Sequence, residues 1–247
     1  MLITLGRLFF LFVLCALWEL VSIQQWINPI FIGRPTQIVR FLFDGLFVNY
    51  ELVVQAYWTM VSTAAAFILG SAFGILFGFL FVTYPLVEKF LEPIFDGLNA
   101  LPRIALAPLF LLWFGLGLAS KIALGFSLTF FIVLSSTVAG ARSVNTDFLI
   151  LAKTLGASPA SVFRKITLPS AVPSIFSGLR LGLIYALLGV IGGEIIAAEK
   201  GLGQLLSFLA GSFKTNGVFA VLILLSFLGG LLTYLTSKIE ARLLRWR

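Results

Sequence analysis

Six long apolar runs leave this chain little room to fold as anything but a bundle of membrane-crossing helices. They are Leu8–Ile23, Tyr57–Val82, Ile94–Phe114, Lys121–Ala141, Ile175–Ala198 and Val218–Ser237. Each is close to the ~20 residues that a helix needs to cross the hydrocarbon core of a bilayer. The first run is the shortest and has Trp18 and Glu19 near its end. It resembles the core of a signal peptide, but no small-residue cleavage site follows it, so it reads as an anchor helix. The third is interrupted by Pro102 and Pro108. Between the first two runs, Asn28–Glu51 is too polar to span, and Ile38, Phe41, Leu42 and Leu46 recur at helical spacing. That spacing predicts a short amphipathic helix on the outer surface. The fold class is therefore an all-α integral membrane protein of about six transmembrane helices. Residues 1–56 form an anchor helix and outer amphipathic segment, and residues 57–247 form the transmembrane domain.

Only 11% of the residues are charged, against about 25% in soluble domains. There is no histidine and one cysteine, Cys15, inside an apolar run. This excludes a disulfide framework within the chain and removes the usual metal ligands. The net charge of +7 is a topology signal and not a nucleic-acid footprint, because the basic residues are scattered among membrane-flanking segments. With the amino terminus inside, the inner segments hold Arg7, Lys89, Arg142, Lys153, Arg164, Lys165, Lys238, Arg242, Arg245 and Arg247. The outer ones hold Arg34, Arg40, Lys121, Lys200 and Lys214. Ten against five predicts that both termini are cytoplasmic. No phosphate-cradling G-x-x-x-x-G-K-[ST] sequence occurs, so the chain has no nucleotide site of that kind. No serine or cysteine has a histidine partner, and no spacing singles out a Ser-Lys pair.

The polar island 145–173 lies between the fourth and fifth runs. Phe148, Leu151, Ala152 and Leu155 follow helical spacing, and Gly156 stops the helix. Ser158 as N-cap and Pro159 at the first helical position restart it. Val162, Phe163 and Ile166 give the second helix an apolar side beside Arg164 and Lys165. Pro169 and Pro173 then break it before the next span. The expectation is two short helices at an angle, presenting an apolar face to the cytoplasm. An ordinary surface connector is the competing reading.

Charges at membrane depth are costly and mark functional sites by default. Arg103 follows Pro102 inside the third run; it suits an anionic substrate, or pairs with Asp96 for structure. Glu194, in the fifth run, could pair with Arg103 or an outer basic residue, gate the outer mouth, or cap a helix. Trp113, with Phe114, fits either a vestibule lid or an interfacial aromatic belt. Gly70, Gly74 and Gly78 read as a small-residue helix-packing face, with the interface to a second copy one place for it.

The island resembles the cytoplasmic loop of permease subunits of bacterial ATP-binding-cassette importers. That family's pattern is Glu-Ala-Ala, three residues, Gly, nine residues, Ile, one residue, Leu-Pro. Ala152, Gly156, Ile166, Leu168 and Pro169 fall on it, while Ile150 and Leu151 replace the glutamate and first alanine. Leu101–Ile122, Gly178–Leu183 and Gly201–Gly203 after Glu194 are similar to the nitrate/sulfonate/taurine branch. The resemblance implies a bacterial inner-membrane permease with a cytoplasmic coupling loop and no enzymatic site or cofactor of its own. ATP and Mg²⁺ would sit on two separate ATPase subunits. A solute-binding protein would deliver substrate, a second permease copy would complete the pathway, and membrane lipid would surround it. Phe163, with Ala157 and Val162, is then the anchor seated in the ATPase, oriented by Arg164 and Lys165; packing of Phe163 against the chain's own membrane helices is the competing reading. The implied substrate is a small anion such as a sulfonate, taurine or nitrate. A self-sufficient secondary carrier and a membrane-embedded enzyme are the other classes, but the chain shows no internal repeat and few polar residues at depth.

Overall fold

The computed structural model describes residues 2–243, which form helices joined by short turns, with no strand among the described residues. Helix α1 is Leu2–Ile23. A turn follows and leads to the short α2, Pro29–Ile32, and to α3, Pro35–Phe43. Glu19 of α1 reaches across to the start of α3, accepting hydrogen bonds from the Thr36 backbone N–H (3.0 Å) and hydroxyl (2.9 Å). A carboxylate at a helix amino terminus satisfies an otherwise orphaned donor and opposes the helix dipole. α3 is amphipathic as predicted: Ile38 is buried, and Phe41, Leu42 and Leu46 pack onto an apolar cluster containing Leu52, Leu202 and Val221.

The second span, α4, runs Glu51–Thr83. The third is an elbow: α5, Pro85–Ala100, is bent by 87° from a segment that starts as one 3₁₀ turn, Arg103–Leu106, and continues as α6, Ala107–Phe114. Pro102 and Pro108 account for the break, since neither can donate the helical hydrogen bond. α7 is Leu118–Arg142, followed by the short α8, Thr146–Thr154. α9, Pro159–Val162, passes through a π-turn, Phe163–Thr167, into α10, Leu168–Ile196. α11, Leu202–Gly211, was not anticipated from hydropathy, and α12 is Thr215–Leu243. Among the described residues there are thus five helices long and apolar enough to cross a membrane, or six with the elbow. Arg245 and Arg247 of the charge count lie outside the described residues.

Helices α4, α7 and α10 form the centre, and their contact is set by small residues. Lipid-facing and helix-facing apolar surfaces are equivalent to the hydrophobic effect, so close approach and van der Waals packing must join them. A Cβ on Gly70 would lie 2.7 Å from Thr129 Cβ, one on Gly74 2.9 Å from the Phe130 carbonyl, and one on Gly78 2.6 Å from Thr137 Cβ. The glycine series therefore seats α4 on α7 inside one chain, not on a second copy. Across the other seam, a Cβ on Gly189 would meet the Gly125 Cα at 2.8 Å. Thr129 Oγ1 lies within hydrogen-bond distance of the Gly182 carbonyl of α10 (3.1 Å), and Ser174 Oγ donates to the Ser136 carbonyl (2.8 Å).

At the end of the bundle away from α8, a buried ion pair holds four elements. Glu194 is 1% exposed and Lys121 3%. Lys121 Nζ donates to Glu194 Oε1 (3.0 Å) and to the Lys200 carbonyl (2.8 Å). Thr59 Oγ1 of α4 donates to Glu194 Oε2 (2.8 Å), and the Gly203 N–H donates to the same oxygen (3.0 Å). The free N–H groups that open α11 are thus consumed: Gly201 donates to Gln55 Oε1, Leu202 to Thr59 Oγ1 and Gly203 to Glu194. Gly201 has φ +125°, and a Cβ there would lie 2.1 Å from the Glu194 carboxyl carbon. Of the readings of Glu194, the structure carries two: it pairs with Lys121, one of the basic residues counted as outer, and it caps the start of α11 through the Gly203 N–H; it does not pair with Arg103, and it is enclosed instead of facing a mouth. Lys121, counted above as an outer flanking charge, is its buried partner.

Two outcomes follow for stability in detergent. Gly74→Val should destabilise by about 1–3 kcal/mol through overpacking, whereas Gly230→Ala, with nothing within 4 Å of its Cβ position, should not lower the unfolding midpoint. Glu194→Gln leaves Lys121 buried and unpaired and should cost about 3–5 kcal/mol. Lys121→Met combined with Glu194→Gln should unfold at a higher temperature than Glu194→Gln alone.

Candidate functional site

Two features remain once the scaffold is set aside: the α8 loop and a cavity beside Arg103. α8 begins with the Asn145 side chain accepting the Asp147 N–H at 2.8 Å. It ends in a double-bonded cap. Gly156 N–H donates to the Lys153 carbonyl (3.0 Å) and Ala157 N–H to the Ala152 carbonyl (2.9 Å), the two bonds of a Schellman motif. Gly156 has φ +73°, the left-handed conformation that this cap requires. Ser158 Oγ then accepts the Ser161 N–H (3.3 Å), and Pro159 occupies the first turn of the next helix. The stop at Gly156 and the restart at Ser158 and Pro159 read from the island are both present in this geometry.

The exposed apolar face lies on α8 and not on the second helix. Phe148, Ile150 and Leu151 are exposed, and Leu155 is 77% exposed, while Ala152 is buried. Phe163 is half-buried, with its ring edge-on to Phe79 of α4 at 5.1 Å between centroids. This corrects the expectation of Phe163 as a free anchor: the ring is occupied by the chain's own second span. Ala157 and Val162 are likewise half-buried, and Ser158, Arg164 and Lys165 are exposed. Ile166, Leu168 and Pro169 lie half-buried at the start of the fifth span.

Pro169 and Pro173 do not break the helix. Pro159–Ile196 is one apolar helical path of 38 residues, about 57 Å at 1.5 Å per residue. The wide turn at Phe163–Thr167 joins α9 to α10 by one i→i+5 pairing, Leu168 N–H to the Phe163 carbonyl; Pro169 falls in the first turn of α10, where a missing N–H is tolerated, and α10 continues through Pro173. The second loop helix is therefore the projecting foot of the fifth span, not a separate element.

At the elbow, Arg103 lines a cavity of about 610 Å³ together with Pro102, Asn99, Ser135, Ser136 and Tyr185. Its guanidinium lies 4.1 Å from the Phe131 ring centroid. Nη1 donates to the Ser127 carbonyl of α7 (2.7 Å), and Nη2 bonds the Asn99 side chain. Among the described residues Arg103 has no carboxylate partner, so Asn99 and not Asp96 is its neighbour in the site. Trp113 is 64% exposed, packs edge-on to Phe110 and Phe114, and lines none of these cavities. Arg103 and Pro102 thus share a site; Trp113 and Glu194 lie apart from it. Asn99, Phe131, Ser135, Ser136 and Tyr185 were missed in the sequence. The Ser135-Ser136-Thr137 run of hydroxyls inside an apolar span was the available signal.

Comparison with known proteins agrees with this geometry. Residues 70–245 match the family described as "Binding-protein-dependent transport system inner membrane component". The chain is 35% identical over 243 residues to the formylaminopyrimidine transport permease protein ThiX of Halalkalibacterium halodurans, covering 97% of this chain and 94% of that one. It is 31% identical over 235 residues to the putative aliphatic sulfonates transport permease protein SsuC of Bacillus subtilis, covering 95% and 85%. Among solved structures, a chain of the inward-facing MetNI methionine ABC transporter superposes with a TM-score of 0.68 at 23% identity, covering 79% of this chain and 97% of that one. The capped loop, the elbow and the small-residue core are thus those of a multi-pass membrane subunit, and the chain belongs to the family of binding-protein-dependent transport system inner membrane components.

Proposed function

We propose that this permease subunit couples ATP hydrolysis on separate ATPase subunits to solute uptake through α8, and that the solute passes the Arg103 cavity. One observation carries the coupling reading. α8 holds exposed Phe148, Ile150, Leu151 and Leu155 on a helix fixed at both ends, and after the capped turn 155–158 the chain runs from Pro159 without a break into the fifth span. An exposed apolar face calls for a partner, and a rigid connection converts that partner's movement into movement of the span. Exposed Arg164 and Lys165 flank the contact. In this reading α8 and both termini face the cytoplasm. Two ATPase subunits, with ATP and Mg²⁺, dock beneath a pair of permeases, and a solute-binding protein delivers from the other side.

The cavity favours a solute with an anionic group. A guanidinium with no carboxylate beside it, flanked by amide and hydroxyl side chains, supplies charge-assisted hydrogen bonds. The relative named for aliphatic sulfonates supports this class. The relative named for formylaminopyrimidine supports a ring-bearing solute, for which a cavity of about 610 Å³ has room.

Co-purification with the cognate ATPase tests the coupling. Leu155→Asp alters an exposed side chain and should leave chain stability within about 0.5 kcal/mol. It should nevertheless abolish ATPase co-purification and ATP-dependent uptake. If the wild type purifies without an ATPase and moves solute without ATP, the proposal fails. For the pathway, Arg103→Gln should keep the ATPase bound and weaken uptake of an alkanesulfonate about 10- to 100-fold, the loss of one charge-assisted hydrogen bond of ~1.5–3 kcal/mol.

A further inference from the structure

α5 is the pathway wall with the weakest hold on the bundle: none of its residues is buried. It is tied to α7 at three levels. Near the elbow, Arg103 donates to the Ser127 carbonyl. In the middle, the Phe95 ring packs against Phe130 and Phe131, each at 5.8 Å between centroids. At the loop end, Arg142 Nη2 bonds both carboxylate oxygens of Glu88. The three ties differ in kind. The first two are internal to the membrane segment, whereas the Arg142 side chain is 55% exposed and that of Glu88 14%.

The position of the third tie is specific. Arg142 is the last residue of α7, three residues before Asn145, which caps α8. Glu88 lies in the first turn of α5. Both line a second cavity, about 350 Å³, whose wall includes Glu92 and Asp96. Asn99, Phe131 and Ser135 line this cavity and the Arg103 cavity alike. The two therefore adjoin along α5 and α7, and the ion pair joins those helices at the end nearest α8. Any displacement of α8 acts on Arg142 through three intervening residues, and the pair passes it to the loop-side end of α5, where the two ties nearer the elbow do not reach.

We propose that Glu88 and Arg142 are positioning residues that form a latch between α5 and α7 at the loop-side mouth of the pathway, made in the conformation described here and broken when an ATPase partner shifts α8. This rests on the coupling role proposed above. The exposure of the pair makes it reversible: partly solvated charges contribute a factor of about fivefold at most to an equilibrium. Such a bias is small enough for nucleotide binding to overturn and large enough to set the resting position of a weakly packed helix.

The test uses the permease assembled with its ATPase in membranes. Cys15, the chain's single cysteine, is replaced by serine, and Glu88→Cys and Arg142→Cys are introduced together. Cross-linking with a bifunctional thiol reagent is compared without nucleotide and after trapping with ATP and vanadate. The latch predicts efficient cross-linking without nucleotide, a severalfold fall on trapping, and loss of ATP turnover in the cross-linked complex. Equal yields in the two states, or normal turnover with the cross-link in place, overturn it. Separately, Glu88→Gln and Arg142→Gln should retain the ATPase while raising ATP hydrolysed per solute moved. The exchanged pair, Glu88→Arg with Arg142→Glu, should restore that ratio. A purely structural pair would instead lower yield or melting temperature without changing the ratio, and that result also overturns the latch. Failure of the wild-type chain to hold an ATPase is a different outcome; it removes the coupling role itself, and the latch with it.

Discussion

The structure depends on the close approach of three helix backbones. In a bilayer, burying one apolar helix face against another gains little over leaving it in lipid, so association needs contacts that lipid cannot imitate. α4, α7 and α10 obtain them by removing side chains where they cross. Gly70, Gly74 and Gly78 admit Thr129, Phe130, Val133 and Thr137, and Gly125 and Gly189 meet backbone to backbone. Thr129, Thr137 and Ser174 hydroxyls at the same crossings bond carbonyls of their own or the facing helix, so these buried groups are satisfied. α11 is attached to this triple crossing through Thr59 and Glu194 and α5 by its ring contacts with α7, while α3 sits further out, held by Glu19 of α1 and Asn216 of α12.

The charged residues of the membrane region divide between two uses that composition alone does not separate. Lys121 and Glu194 are enclosed and fully partnered, and their removal from water is offset by hydrogen bonds from Thr59 and Gly203 and by the opening turn of α11. Arg103 is the other kind. Its guanidinium is held by a backbone carbonyl, an amide side chain and an aromatic face, and it lines open space. A charge positioned by neutral partners keeps its field for a ligand, whereas a charge positioned by an opposite charge does not.

What was legible in the sequence follows the range of the interaction involved. The spans, the start and stop of α8 and the amphipathic α3 rest on neighbours within a turn or two, and local pattern is sufficient for those. The loop's two caps read correctly because Gly156 and Ser158 act on residues within five positions, whereas the Asn145 cap of α8 is equally local but was not singled out. Glu194 could not be assigned, because its partner lies 73 positions away on another helix. Phe163 was left between two readings for the same reason: apolar spacing shows that a ring has a preferred side but not that Phe79 waits there. The proline rule failed because Pro169 falls in the first turn of α10, where no N–H is needed, and α10 continues through Pro173. The cavity residues Ser135, Ser136 and Tyr185 sit on two helices whose relative rotation comes from the glycine seam, which hydropathy does not encode.

The unbroken path from Pro159 to Ile196 has a consequence for timing. From its foot to Tyr185 at the cavity wall is 26 residues, about 39 Å of helix, with no loop between them to absorb strain. A jointed connection would let the foot rock while the cavity stayed still, and fuel could then be burned in idle strokes. A single strut has no such slack. Under the coupling proposed above, a stroke delivered at the foot would reach the cavity wall as it occurs, and a load in the cavity would be felt at the foot.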